Sequence, residues 1–270
     1  MDQLLFSALA LFVYMTILWA IGLFVRNAGL VDIGWPTGFV GIAIYFGATG
    51  EGYGIRKAII VSLFFICGAR FTIGWIIRNI RDGEDKRWQL WRERWKRGDS
   101  LFSIKSIPFN LFLFYHAQTI ATAFVLITPV VIACKNESRM ISLVEWVAVF
   151  VWFVSFFLEN VADIQLDRFR RRGNQGVCRD GLWNYSRHPN YFFEFCIWCA
   201  YSIFALASVE SAFDLLIISL VPVTAYWFLV YYTGIPVTEK ASLLKRGEAY
   251  QKYQSEVNRF FPMMNRRKIK

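Results

Sequence analysis

The chain has no G-x-G-x-x-G run and no Walker sequence, so neither a soluble Rossmann domain nor a P-loop is available as a source of nucleotide binding. Histidine is scarce, with only His116 and His188. The five cysteines are Cys67, Cys134, Cys178, Cys196 and Cys199, and the C-x-x-C spacing of the last two has no second Cys or His pair at zinc spacing. That pair also falls inside an apolar stretch, so buried, inert thiols are expected and no metal is assigned. Internal repeats and low-complexity tracts are absent, which points to a single domain over residues 1–270. Acids are outnumbered by bases, 20 to 30, for a net charge of +10, yet no nucleic-acid motif accompanies the surplus. Basic loops beside anionic lipid account for it, and no nucleic acid is expected as a partner.

What the chain has in abundance is apolar surface. A hydrophobic content of 56%, with 18% aromatics and a mean hydropathy of +0.37, is far above the globular norm and calls for a solvent other than water. Crossing a hydrocarbon core of about 30 Å takes roughly 20 apolar residues. Seven such windows are present, at about 4–25, 30–47, 58–77, 109–134, 143–161, 191–207 and 215–233. The second and sixth are the weakest, the second holding Asp32, Pro36 and four glycines.

Seven spans place nearly all Lys and Arg on one side, in Arg26, the stretch from Arg78 to Lys105, the run from Arg168 to Arg187 and the tail; the other side receives Arg56, Lys57, Lys135 and Arg139. The positive-inside rule then predicts an all-α, multi-pass membrane protein with a non-cytosolic amino terminus and a cytosolic carboxyl terminus, in a bacterial inner membrane or an endoplasmic reticulum. The basic end RRKIK is a weak retrieval pattern. The first apolar stretch is too long for a cleaved leader and lacks a basic start, so it is expected to stay as the first helix.

Ionisable groups inside spans are costly and are functional candidates by default. They are Asp32, Arg70, His116 beside Gln118, Glu145, Glu159 and Glu194. Asp32 and Arg70 either neutralise each other across two helices or serve separately, Asp32 polarising a substrate oxygen and Arg70 reaching a cofactor phosphate. Glu145 and Glu159 read as interfacial. Between spans three and four, Trp88, Trp91 and Trp95 recur at helical spacing, as in a helix lying on the bilayer surface. From residue 235 the tail reads as a helix entered at Pro236 and ended by Pro262, with Tyr250, Tyr253 and Val257 on one stripe that folds back on the other loops.

The densest chemistry lies at Asp163, Arg168, Arg170, Arg171, Arg172, Arg179, Arg187, His188 and Asn190. Guanidinium groups bind phosphates bidentately and an Asn amide can both donate and accept, so the set suits a dinucleotide better than a bare anion. A topogenic basic loop would explain the arginines but not His188, Pro189, Asn190 and Tyr191 followed by Glu194 at a helix entry.

The run GLWNYSRHPNYFFE at 181–194, with Asp163 and Arg170 before it and GIPVTE, Tyr250, Tyr253, Phe260, Phe261 and Pro262 after it, resembles the steroid 5α-reductase superfamily, in particular its short bacterial-type branch. The VDIGWP segment at 31–36 and the basic stretch from Arg70 are also similar to that branch. The resemblance implies a seven-helix membrane oxidoreductase whose cytosolic loops enclose NADPH and whose embedded cavity takes a hydrophobic enone, a 3-oxo steroid or another lipid. Carried over by position, it implies cofactor contacts from Asp163, Arg170, Arg179 and Asn190, with Arg187, His188 and Tyr191 in the same signature and Arg70 and Arg81 as further candidates. Glu194 would lie near the nicotinamide. Such chemistry needs a hydride aimed at the β-carbon and a donor on the carbonyl oxygen where charge develops.

The chain departs from the family at the ketone grip. No Gln-Glu pair stands in the second span, Cys67 occupies the expected Tyr position, and Phe193 replaces the usual Gly before Glu194. Asp32 is then the candidate donor, in a role that requires it to be protonated. Two other readings are carried. Membrane methyltransferases of the isoprenylcysteine carboxyl type share Arg187, His188, Pro189 and Tyr191 and bind S-adenosylmethionine, but show a Glu-Glu pair where this chain has Thr238 and Glu239. A non-catalytic sterol or lipid binder on the same scaffold is the third.

Overall fold

The computed structural model describes residues 2–85, 87–98, 106–173 and 176–264; the basic end at 266–270 lies outside them. The described residues are helical, with no strand among them. Helix α1 is Asp2–Phe24, followed by a 3-10 turn at Ala28–Leu30, α2 at Val31–Thr49, α3 at Gly54–Asp82 and α4 at Arg87–Arg97. Helix α5, Ile107–Ala121, passes through a π turn at Thr122–Leu126 into α6, Thr128–Ala133. Then come α7 (Leu143–Arg171), α8 (Pro189–Leu206), α9 (Ala212–Trp227), α10 (Ile235–Arg246) and α11 (Glu248–Glu256).

Six stretches among the described residues are long and apolar enough to cross a membrane: α1, α2 with its entry turn, α3, the α5–α6 run, α7 and the run from α9 into α10. The protein is thus an all-helical, multi-pass membrane protein. The sixth expected span forms as α8 at the expected place but is not among the six, because Asn190, Tyr191 and Glu194 occupy its first two turns.

Contacts divide the chain into two compact units, one of Met1–Glu145 with Phe204–Val221 and the other of Trp146–Ile203 with Pro222–Lys270. In the first unit the glycines of α2, a weakness in the sequence, are packing points. A Cβ on Gly34 would stand 2.5 Å from Leu18 and one on Gly38 2.5 Å from Leu11, both on α1, while one on Gly47 would stand 2.6 Å from Val61 on α3. Small residues let helix backbones approach closely where lipid supplies no hydrophobic drive. Only Gly41, on the same helix, faces open space.

The tryptophan face of α4 does not lie on a bilayer. Trp88, Trp91 and Trp95 are buried, and their rings sit 5.3, 5.2 and 6.3 Å from Phe114 of α5. Helical spacing identified the stripe, and the protein's own aromatic side chain covers it. Glu145, in the first turn of α7, has a structural partner. It is fully buried against Arg56, itself 1% exposed, whose remaining donors meet the carbonyls of Asn136, Ser138 and Met140.

In the second unit the tail folds back as expected but as two helices. Gly247 breaks it, with φ +50 and ψ −126, a conformation open to glycine. Tyr250, Tyr253 and Val257 form one buried cluster with Val177 and Leu243, and Tyr253 Oη donates to the Trp183 carbonyl.

Candidate functional site

The second unit gathers most of the chemistry-bearing side chains read from the sequence. Helix α7 ends in Arg168, Arg170 and Arg171, and cations are favoured there by the partial negative charge of a helix carboxyl end. Arg171 pairs with Asp167 at 2.7 Å and Arg172 with Asp180 at 3.2 Å, both on the surface. Arg170 is exposed and has no acid partner among the described residues. It stands close enough to Arg246 for the two charges to repel. Arg246 is otherwise held by the Gly176 carbonyl at 2.8 Å and Ser242 at 3.3 Å. Sequence reasoning missed Arg246, which reads there as one more base at a helix end.

Two turns back on α7, Asp163 accepts from Asn190 Nδ2 at 3.1 Å. This contact sets the orientation of the amide, since only the nitrogen can donate. Asn190 Oδ1 is then left buried with no hydrogen-bond partner among the described residues. Native structures satisfy the great majority of such atoms, so an orphan of this kind needs a reason. Glu194 follows one turn later on the same face of α8 and is half-buried.

The other members of the signature face inward. Arg187 Nε meets Glu239 Oε1 at 2.7 Å, and Arg187 Nη1 donates to the carbonyls of Gln254 and Val257 at 2.8 and 2.9 Å. His188 Nε2 reaches the same Glu239 oxygen at 3.2 Å. Burial pushes the imidazole below its ordinary value against the pull of Glu239. Tyr191 stacks on His188 and its hydroxyl lies 3.2 Å from Thr238. Arg179 pairs with Glu256 at 2.7 Å and lies over the Tyr253 ring. Thus Arg187, His188 and Arg179, expected as cofactor contacts, have polar atoms engaged by α10 and α11. No spacing rule could have shown this, because the partners lie 51 to 77 residues away.

The remaining candidates belong to the first unit. Asp32 pairs with Arg87 of α4 at 3.5 Å, not with Arg70. The Arg70 guanidinium lies over the Phe71 ring, and Arg81 pairs with the adjacent Asp82. His116 stacks on Phe12 and stands 3.2 Å from Thr16, a packing role between α5 and α1. Cys67, Cys134 and Cys178 are buried, none of the five cysteines forms a disulfide, and no metal-ligating cluster occurs among the described residues.

Residues 18–257 match the family described as "Protein of unknown function (DUF1295)". The chain belongs to this family. An uncharacterized protein of Schizosaccharomyces pombe is 26% identical over 283 residues, an alignment that covers 94% of this chain and 78% of the relative. No solved structure matches the chain.

Proposed function

We propose that this DUF1295 protein is an NADPH-dependent membrane reductase acting on the conjugated C=C bond of a hydrophobic enone, either 3-oxo steroid-like or another lipid, with its basic loops on the cytosolic side. The observation that carries the reading is the orphaned Asn190 Oδ1, buried beside a nitrogen that Asp163 has claimed. An acceptor with that fixed orientation fits an N–H of the cofactor's carboxamide or base. Arg170 and Arg246, two cations near enough for their charges to repel, fit its phosphates. The family also sits among steroid 5α-reductase-like families, in keeping with the resemblance of residues 181–194.

When bound, NADPH would supply a hydride. The chain's own work is to hold and orient. Asn190 would fix one end of the cofactor, Arg170 and Arg246 would neutralise phosphate charge, and Glu194 would border the reacting end. Asp32 belongs to the first unit, where Arg87 pairs with it at 3.5 Å, and it is given no part in holding the cofactor.

Titration of the purified protein in detergent micelles with NADPH, and separately with S-adenosylmethionine, tests the reading. Saturable NADPH binding is expected, weakened by about 1–3 kcal/mol in Asn190→Ala and in Arg170→Ala. Unchanged NADPH affinity in both variants removes the proposed pocket. Binding of S-adenosylmethionine in place of NADPH moves the chain to the methyltransferase reading, and lipid binding with neither leaves a non-catalytic binder.

A further inference from the structure

A cavity of about 440 Å³ lies in the first unit between α1 and α2, walled by Phe6, Leu11, Tyr14, Thr37, Gly41 and Tyr45 among others. Its size falls within the range of about 300–1,000 Å³ typical of small-molecule sites. The hydroxyl-bearing residues of the wall are Ser7, Tyr14, Thr37 and Tyr45; Ser7 donates to the Leu4 carbonyl at 2.9 Å, Tyr45 lies two turns of α2 beyond Thr37, and the Tyr14 and Thr37 hydroxyls are 2.6 Å apart. Both helices are membrane spans, and the flanking α1 residues Leu5, Phe6 and Leu9 are exposed, so the cavity opens toward lipid.

Three of the α2 glycines are filled against by neighbouring helices, whereas a Cβ on Gly41 would meet nothing within 4 Å. The gap at Gly41 is therefore room that helix packing leaves unused.

The polar pair has a direction. Thr37 has one hydroxyl proton, and its Oγ1 lies 2.6 Å from the Ile33 carbonyl and 3.2 Å from that of Gly34, so the proton goes to the backbone. Thr37 must then accept from Tyr14. Tyr14 spends its proton on that bond, and its oxygen keeps acceptor capacity only. Tyr14 is midway along α1, at a depth where no water serves polar groups. A ligand that brings a proton to this point gains a partner, and one that brings only an acceptor does not.

We infer that the α1–α2 cavity binds a membrane-soluble alcohol, hydroxyl inward against Tyr14, and discriminates against the corresponding ketone or ether. This site is separate from the Asn190 pocket and stands or falls without it.

The test uses the full chain in phosphatidylcholine nanodiscs, without NADPH, with tritiated cholesterol and tritiated 1-hexadecanol as ring and chain probes. Saturable binding of at least one is expected, displaced by the unlabelled alcohol but about 3- to 20-fold less well by its methyl ether or its ketone or aldehyde, the range for one hydrogen bond within a membrane. Tyr14→Phe should remove that preference while the fold is kept. Gly41→Leu should abolish binding by filling the gap, with NADPH affinity unchanged. No saturable binding of either alcohol, equal competition by ether and ketone, or undiminished binding in Gly41→Leu overturns the inference.

Discussion

Replacing Arg187 by alanine separates two roles that the sequence signature cannot. The side chain is only 10% exposed and its partner Glu239 13%. Removing it takes the 2.7 Å ion pair from Glu239 and a charged donor from the carbonyls of Gln254 and Val257. Breaking a buried pair from one side costs about 3–5 kcal/mol, because the remaining charge stays out of water. Glu239 keeps Gln254 Nε2 at 3.0 Å and His188 at 3.2 Å, which draws the expected loss toward about 3 kcal/mol. The carbonyls belong to the end of α11 and the residue after it, so loosening should appear there first, as faster tryptic cleavage after Arg246 and Lys252. Denaturant titration in mixed micelles gives the loss, and the double variant Arg187→Ala/Glu239→Ala should cost less than the two single losses together, with a coupling of about 0.5–3 kcal/mol. A loss below about 1 kcal/mol, the value of a surface pair, with a large fall in NADPH affinity would refute the clamp and return Arg187 to the cofactor site.

The His188 imidazole is held below its ordinary value by burial, so the folded state resists a proton that the unfolded chain takes up near pH 6.5. Its contribution to stability is full above about pH 6.5 and declines as pH falls from there toward the folded value; His188→Gln should flatten that part of a stability profile taken between pH 7.5 and 5. Glu145→Ala strands Arg56 at 1% exposure and should cost about 3–5 kcal/mol in the same titration, even though three carbonyls still hold the guanidinium. Gly247→Ala meets no neighbour, so its expected cost of about 1–3 kcal/mol comes from backbone conformation alone and should appear as a lower midpoint with unaltered NADPH affinity.

The spans were legible because their lengths are set by bilayer thickness, and α8 was the exception because its entry carries Asn190 and Glu194. The helical stripe of Trp88, Trp91 and Trp95 was equally plain in one dimension. Its covering was not, since periodicity says that one face is apolar and is silent on whether lipid or Phe114 meets it. The candidate site divides in the same way. Arg170 and Arg187 are the same residue type in one short basic segment and read alike. In the structure Arg170 is exposed with no acid partner among the described residues, while Arg187 is locked by Glu239 and two carbonyls. What separates them is the docking of α10 and α11, more than fifty residues along the chain. The same docking brings Arg246 within electrostatic range of Arg170, adding a cation to the proposed site that no local pattern marks. Substitutions at Arg170 and Arg187 should therefore fail in different ways, one in affinity with the fold intact and the other in the fold itself, and that contrast follows from where the tail lands.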